Sequence, residues 1–202
     1  MAFFFRGIEG LAFSDQLRFN RFGTGPVTTP QSELIHKAFE GVVDRQPKVV
    51  ALEHDGCHLT YHELEKESNI LANRLISMGL APRQRVCLVV QRSLLMVTAM
   101  LAVLKCGCQY IPIDGQVTPE SALQHVMEDT QAPFVLCLMK FRAKILQCCQ
   151  SGTIVITLDS PSVVPGSSIR PQVTTYKSDG AYAIYTSGIS ATRILRAPLI
   201  YV

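Results

Sequence analysis

Five short apolar runs constrain this chain most: RVCLVV (85–90), YIPI (110–113), PFVLCL (133–138), TIVITLD (153–159) and AYAIY (181–185). None alternates polar with apolar, so each reads as a strand buried on both faces. Helical patterns fill most of the gaps. Residues 93–106 form an apolar helix that Gly107 ends. Thr118-Pro119-Glu120 opens a second helix with Leu123, Val126 and Met127 inward, and residues 140–149 form a third. Parallel strands need such crossovers. The pattern therefore predicts an α/β fold: a three-layer, mostly parallel sheet flanked by helices. Pro112 points to an edge or irregular position for the second strand, because it has no N–H to give.

The region before these runs is more varied. Residues 1–30 hold no sustained period, and RFGTGPVTTP (21–30) reads as a linker by its Gly, Thr and Pro content. Gly23 and Gly25 make no dinucleotide fingerprint, since no strand precedes them and Pro26 follows. Thr29 and Pro30 suit a helix start, and Leu34, Ile35, Ala38, Phe39, Val42 and Val43 then recur at helical spacing until Pro47. VVALEHDGCHLT (49–60) reads as a hairpin turning at Asp55-Gly56. Thr60 and Glu63 form a capping box for the next helix, with Leu64, Leu71, Leu75 and Met78 on one face and Gly79 at its end.

Composition narrows the function classes. Of 202 residues only 17% are charged and 48% are hydrophobic, which argues for a real core. The net charge of +3, without a dense Lys/Arg cluster, gives no footprint for nucleic acid or an anionic membrane. The longest apolar run, residues 94–104, is too short to span a bilayer and lies between Arg92 and Lys105. The N-terminal MAFFFRGIEG lacks a basic region and a sustained apolar stretch. The seven cysteines are odd in number and lack Cys-x-x-Cys pairs, so reduced, mostly buried thiols in a cytoplasmic protein are expected. Vicinal Cys148 and Cys149 are the one pair with a redox alternative.

Candidate sites are few. His54, His58 and His62 are spaced by four, but the hairpin pairs residue 54 with 57, 53 with 58 and 52 with 59. That register turns His54 and His58 to opposite faces, so surface histidines are expected in place of a metal site. Asp114 and Asp159 follow strands, where functional groups often sit, though turn formation is the plainer reading. Thr186, Ser187 and Gly188 follow the last apolar run. Two hydroxyls and an unhindered backbone can present several donors to one phosphate. The loop is no Walker A motif, for G-x-x-x-x-G-K-[ST] is absent.

Three segments in fixed order, LTYHEL (59–64), LKCGCQYIPID (104–114) and YAIYTSG (182–188), resemble the first three core motifs of amino-acid adenylation domains from nonribosomal peptide synthetases. The upstream FNRFGTGP is similar to the linker that precedes such domains. The resemblance implies the N-terminal portion of the adenylate-forming enzyme fold, incomplete, with residues 1–30 as linker, 31–188 as a partial AMP-binding domain and 189–202 as a divergent tail. It further implies ATP with Mg2+ as cofactors, an amino acid or other carboxylate as substrate, an acyl-adenylate and pyrophosphate as products, and other synthetase domains as partners.

In that family TSG is followed by Ser or Thr, Thr-Gly, one residue, and Pro-Lys-Gly. Here ISATRILRAPLIYV comes next instead, so only Thr186, Ser187 and Gly188 carry over, and Arg193 stands at the wrong spacing. The break is expected to mark a frameshift, a retained intron or a mis-called exon. The resemblance assigns no catalytic or metal-binding residue, and neither catalysis nor tight cofactor binding is expected of these residues alone. Bare apolar faces and edge hydrogen bonds are expected beside the last strand. An acyl- or aryl-CoA ligase fragment, or a non-catalytic protein that docks on a full synthetase, are the alternatives.

Overall fold

The computed structural model describes residues 10–22, 32, 34–160 and 166–185, together with the backbone of 194–197; only the backbone is described at residue 20. Two compact units divide at residue 31. The first contains one helix, α1 (Phe13–Phe22), where the sequence pattern predicts irregular chain. Asp15 in its first turn and Arg21 in its last complement the helix dipole, and Gln16 Nε2 donates to Leu11 O at 2.9 Å. Phe13 and Leu17 lie on the opposite side from Phe19 and Phe22, so no single apolar stripe reveals the helix.

The second unit begins with α2 (Ile35–Arg45), the hairpin β1 (Val50–His54) and β2 (Cys57–Thr60), and α3 (Tyr61–Ser77). Then come β3 (Arg85–Val90), α4 (Leu94–Lys105), β4 (Gln109–Asp114), α5 (Glu120–Thr130) and β5 (Phe134–Cys137). A 3-10 turn (Met139–Phe141), α6 (Arg142–Cys148), β6 (Ile154–Thr157), β7 (Tyr182–Tyr185) and β8 (Ile194–Ala197) complete it. The main sheet runs β6-β5-β3-β4-β7-β8, parallel throughout except for β8, which pairs antiparallel with β7. The divergent tail thus supplies backbone partners to the β7 edge, which the sequence analysis leaves bare.

Burial fixes the centre. Val86 to Val89 on β3 and Val135 to Cys137 on β5 are fully buried. The predicted β1–β2 register is the observed one, with Leu52 opposite Leu59 and Glu53 opposite His58. The capping box is present in both directions: Glu63 N donates to Thr60 Oγ1, and Thr60 N to Glu63 Oε2 at 2.8 Å. Gly107 turns the chain from α4 into β4 at φ +68, a value other residues rarely adopt.

Two expectations give way and a third holds in part. Pro112 sits on β4, between β3 and β7, so the edge alternative fails and the irregular one holds. Residues of a parallel strand bond alternately to either side, and Tyr110 N donates toward β7, to Ala181 O. Pro112, two residues on, faces that same side, where only Tyr110 and Tyr182 are in register, so its missing N–H breaks no bond to β3. On α2 the buried residues are His36, Glu40 and Val43, whereas Ile35 is 40% exposed and Ala38 is exposed. The inward polar edge brings Glu40 toward cationic Lys105 and Arg170. Lys105 Nζ lies 5.6 Å from the Phe39 ring centre, and Arg170 Nη2 donates to Glu40 O. On α3 Leu64 and Leu75 are buried, but Met78 lies past the helix end and is exposed, while Glu65, Ser68 and Asn69 are buried.

Candidate functional site

The parallel strands β3 to β7 all point their carboxyl ends at one rim, where open α/β sheets receive ligands. The crossovers β3-α4-β4 and β5-α6-β6 run to opposite sides, so the topological switch point falls between β3 and β5. That crevice is occupied by its own side chains. Gln91 Nε2 donates to Gln116 Oε1 at 3.1 Å, and Lys140 Nζ donates to Gln91 Oε1. Asp114 Oδ1 accepts from Gln116 N at 2.9 Å, and Asp159 Oδ1 accepts from Met139 N at 2.7 Å. Both aspartates therefore serve the turns that close the rim.

β7 leaves the sheet at the same rim. Thr186, Ser187, Gly188 and Arg193 lie outside the described residues, as do Gly23, Gly25, Thr29 and Pro30. What the structure gives is the root of the loop. Tyr185 Oη donates to the Asp129 carboxylate on α5. Burial and that bond push the Tyr185 phenol up, so it stays protonated as the donor. Tyr182 stacks on Tyr110 with ring centres 5.7 Å apart. Before β7, Arg83 Nε pairs with Asp179 Oδ1 at 3.0 Å, and Asp179 Oδ2 accepts from Tyr176 N at 2.9 Å.

His54 bonds locally with Asp55 at 3.2 Å, and His62 lies in the first turn of α3. Among the described residues no three His, Cys, Asp or Glu side chains converge as a metal site. The cysteines are all free thiols, with Cys57 exposed and Cys149 half-buried. Burial pushes Cys87 and Cys137 up to about 12, and Cys108 and Cys149 up to about 11, so none of these four is a ready thiolate. No helix of the described residues is long and apolar enough to cross a membrane.

One polar constellation has no counterpart among the motifs of the sequence. Lys105, 2% exposed, donates to Glu65 Oε2 at 2.5 Å and Asn69 Oδ1 at 2.6 Å. Arg170 Nε reaches Glu65 Oε1 at 2.6 Å, while its Nη2 reaches Asp44 Oδ1 at 2.7 Å. Burial pushes the Glu65 carboxyl up, but the bonds from Lys105 and Arg170 more than offset this and hold it below the usual range. Glu65 and Asn69 lie four apart on α3, and that spacing is the one signal the sequence offers for it.

Known proteins agree on where this architecture belongs. The AMP-binding enzyme family matches residues 39–192. Adenylate-forming reductase 03009 of Coprinopsis cinerea is 34% identical over 92% of this chain, which spans 18% of that protein's length. Phosphinothricin tripeptide synthetase PhsB of Streptomyces viridochromogenes is 38% identical over 79% of the chain and 13% of its own length. Among solved structures, the nonribosomal peptide synthetase FmoA3 in its AMPPNP-bound form superposes with TM-score 0.73 at 26% identity, over 87% of this chain and 18% of that one. The N-terminal subdomain of Klebsiella oxytoca NpsA, at 22% identity, shares the fold over 79% of this chain and 40% of its own, with TM-score 0.65. A parallel sheet of this order, carrying the three motifs and matched over most of its length, makes the chain a member of the AMP-binding enzyme family, akin to the adenylation domains of nonribosomal peptide synthetases and spanning only part of such a domain.

Proposed function

We propose that this chain contributes the phosphate-holding part of a carboxylate-activating domain extending over residues 31–188. The observation that carries the reading is the end of β7 at Tyr185, on the carboxyl-end rim of a sheet in this family, with Thr186, Ser187 and Gly188 next in the sequence. Their hydroxyls and amides can donate to phosphate oxygens. Mg2+ would accompany the nucleotide's phosphates. When bound, ATP supplies the adenylyl group to an amino acid or related carboxylate and releases pyrophosphate. The residues of β7 orient the loop: Tyr185, through Asp129, fixes where the strand hands over to Thr186.

The 202 residues hold nucleotide weakly and do not complete the reaction. Three donors without further base, ribose or acid contacts support millimolar affinity, on the order of −4 kcal/mol. The substrate acid and the partner synthetase domains belong to the longer relatives, and the cytoplasm is the setting that reduced thiols favour. A second reading comes from the match to adenylate-forming reductases over 92% of the chain. Carboxylate activation is common to both readings, and they part at the step after the adenylate.

Two assays test this. The purified chain is expected to show no amino-acid-dependent ATP–pyrophosphate exchange above blank. AMPPNP binding by calorimetry is expected at millimolar strength and lost when Thr186 and Ser187 are both changed to alanine. Robust exchange that the double change abolishes would make the chain an enzyme in its own right. Binding that survives the double change would remove the loop from the site.

A further inference from the structure

The segment 166–180 leads into β7, and none of its residues is fully buried. Ile169 is 74% exposed, so apolar burial does little to hold the segment down. Directed polar contacts hold it instead. Asn69 Nδ2 donates to Ser168 O at 2.8 Å, and Asn73 Nδ2 to Ser167 O at 2.9 Å and Ile169 O at 2.8 Å. Gly166 lies so close to α3 that an added Cβ would come within 2.7 Å of the Ile70 carbonyl oxygen. Arg170 reaches furthest, with bonds to Glu65 on α3 and to the Glu40 carbonyl and the Asp44 carboxylate on α2.

The strand after this segment is thinly laddered. β3 and β4 are in register over six residue pairs, whereas β4 and β7 share one, Tyr110 with Tyr182. β8 pairs with β7 over four residues on its outer side, so the attachment of β7 to the β3–β5 core rests on that one pair, on the contacts of Tyr182 and Tyr185, and on the residues that precede the strand. Glu65 is the junction: Lys105, just before the α4–β4 turn, holds one of its oxygens and Arg170 the other. Removing Arg170 leaves Glu65 paired with Lys105, so the helices keep their buried ion pair while the segment loses its anchor.

We propose that Arg170 is a positioning residue, a clasp that fastens residues 166–175 as a strap to α2 and α3 and thereby sets β7, and that strap and β7 open together as a unit separate from the β3–β5 core. The consequence for phosphate binding rests on the reading given under Proposed function. The opening itself is measured without nucleotide, so the two can fail separately.

The test is hydrogen exchange by mass spectrometry on the full chain at neutral pH, comparing the parent with Arg170→Ala, Arg170→Lys and Asp44→Asn. Peptides covering 166–185 are expected to exchange about tenfold faster in Arg170→Ala, while those covering β3 and β5 keep their rates. Arg170→Lys is expected to restore protection only in part, because an ammonium lacks the fork that bridges two carboxylates. Asp44→Asn, which removes an exposed partner and leaves the Glu65 bond intact, is expected to accelerate the same peptides about threefold. An equal acceleration of strap and core would overturn the proposal, making Arg170 a residue of global stability. So would unchanged exchange of 166–185 in Arg170→Ala. If Arg170→Ala does not fold, unchanged exchange of 166–185 in Asp44→Asn decides against the clasp.

Discussion

The β3–β5 centre and the strap–β7 margin of the same sheet are held by different forces. At the centre, Val86 to Val89 and Val135 to Cys137 are fully buried, and β3 has in-register neighbours on both sides. At the margin, residues 166–180 bury little, and the chain is fixed by Asn69, Asn73, Arg170, Arg83 and Asp129. Burial of apolar surface is non-directional and gathers many neighbours at once. Polar contacts are directional, and each fails separately. Within the parallel sheet, the strand leading to the proposed phosphate loop is thus less secured by apolar burial than β3 and β5 are.

The largest expected effect breaks the centre. Leu136→Ala on β5 removes a fully buried side chain and is expected to destabilise the fold by about 4 kcal/mol. Chemical denaturation followed by circular dichroism would show a lower midpoint with a single transition. A loss below about 1 kcal/mol would mean that the centre is looser than its burial implies.

A smaller effect concerns the polar seam between α2 and the helices beneath it. Burial lowers the His36 imidazole to about 4, against an ordinary value near 6.5. Glu40 and Glu65 oppose the shift, and Lys37 and Lys105 add to it. The folded chain thus binds the proton less readily than the unfolded chain. This contribution to stability is complete above pH 6.5 and falls as the pH drops toward 4. The expected loss is about 2 kcal/mol between about pH 7 and pH 5, and His36→Gln should flatten that slope. Urea midpoints measured across this range would check it. A slope equal in both proteins would mean that His36 does not drive the acid sensitivity.

What the sequence reveals divides along the same line. The hairpin register, the Thr60–Glu63 capping box and the five apolar strands are legible because neighbours in the chain determine them. Pro112 leaves edge and irregular pairing undecided in the sequence, because its fit depends on which side of β4 its nitrogen faces, a property of the assembled sheet. The inward face of α2 is misjudged because Glu40 meets Lys105 and Arg170, which lie far along the chain. The attachment of the strap is not legible in the sequence because its anchors are side-chain bonds to distant helices. Of the candidate site, Thr186, Ser187 and Gly188 come from motif resemblance, while the Tyr185–Asp129 bond that roots them becomes visible only in the fold.

The most direct measurement of the central claim, that core and margin are separate cooperative units, is native-state hydrogen exchange of the unmodified chain in rising denaturant. Amides of β3 and β5 should open with one shared free energy that falls steeply with denaturant, as global unfolding does. Amides of residues 166–185 should open at a lower free energy that scarcely changes with denaturant, because little surface is exposed when the strap and β7 come away. A single opening free energy and a single denaturant slope for both sets would contradict the account.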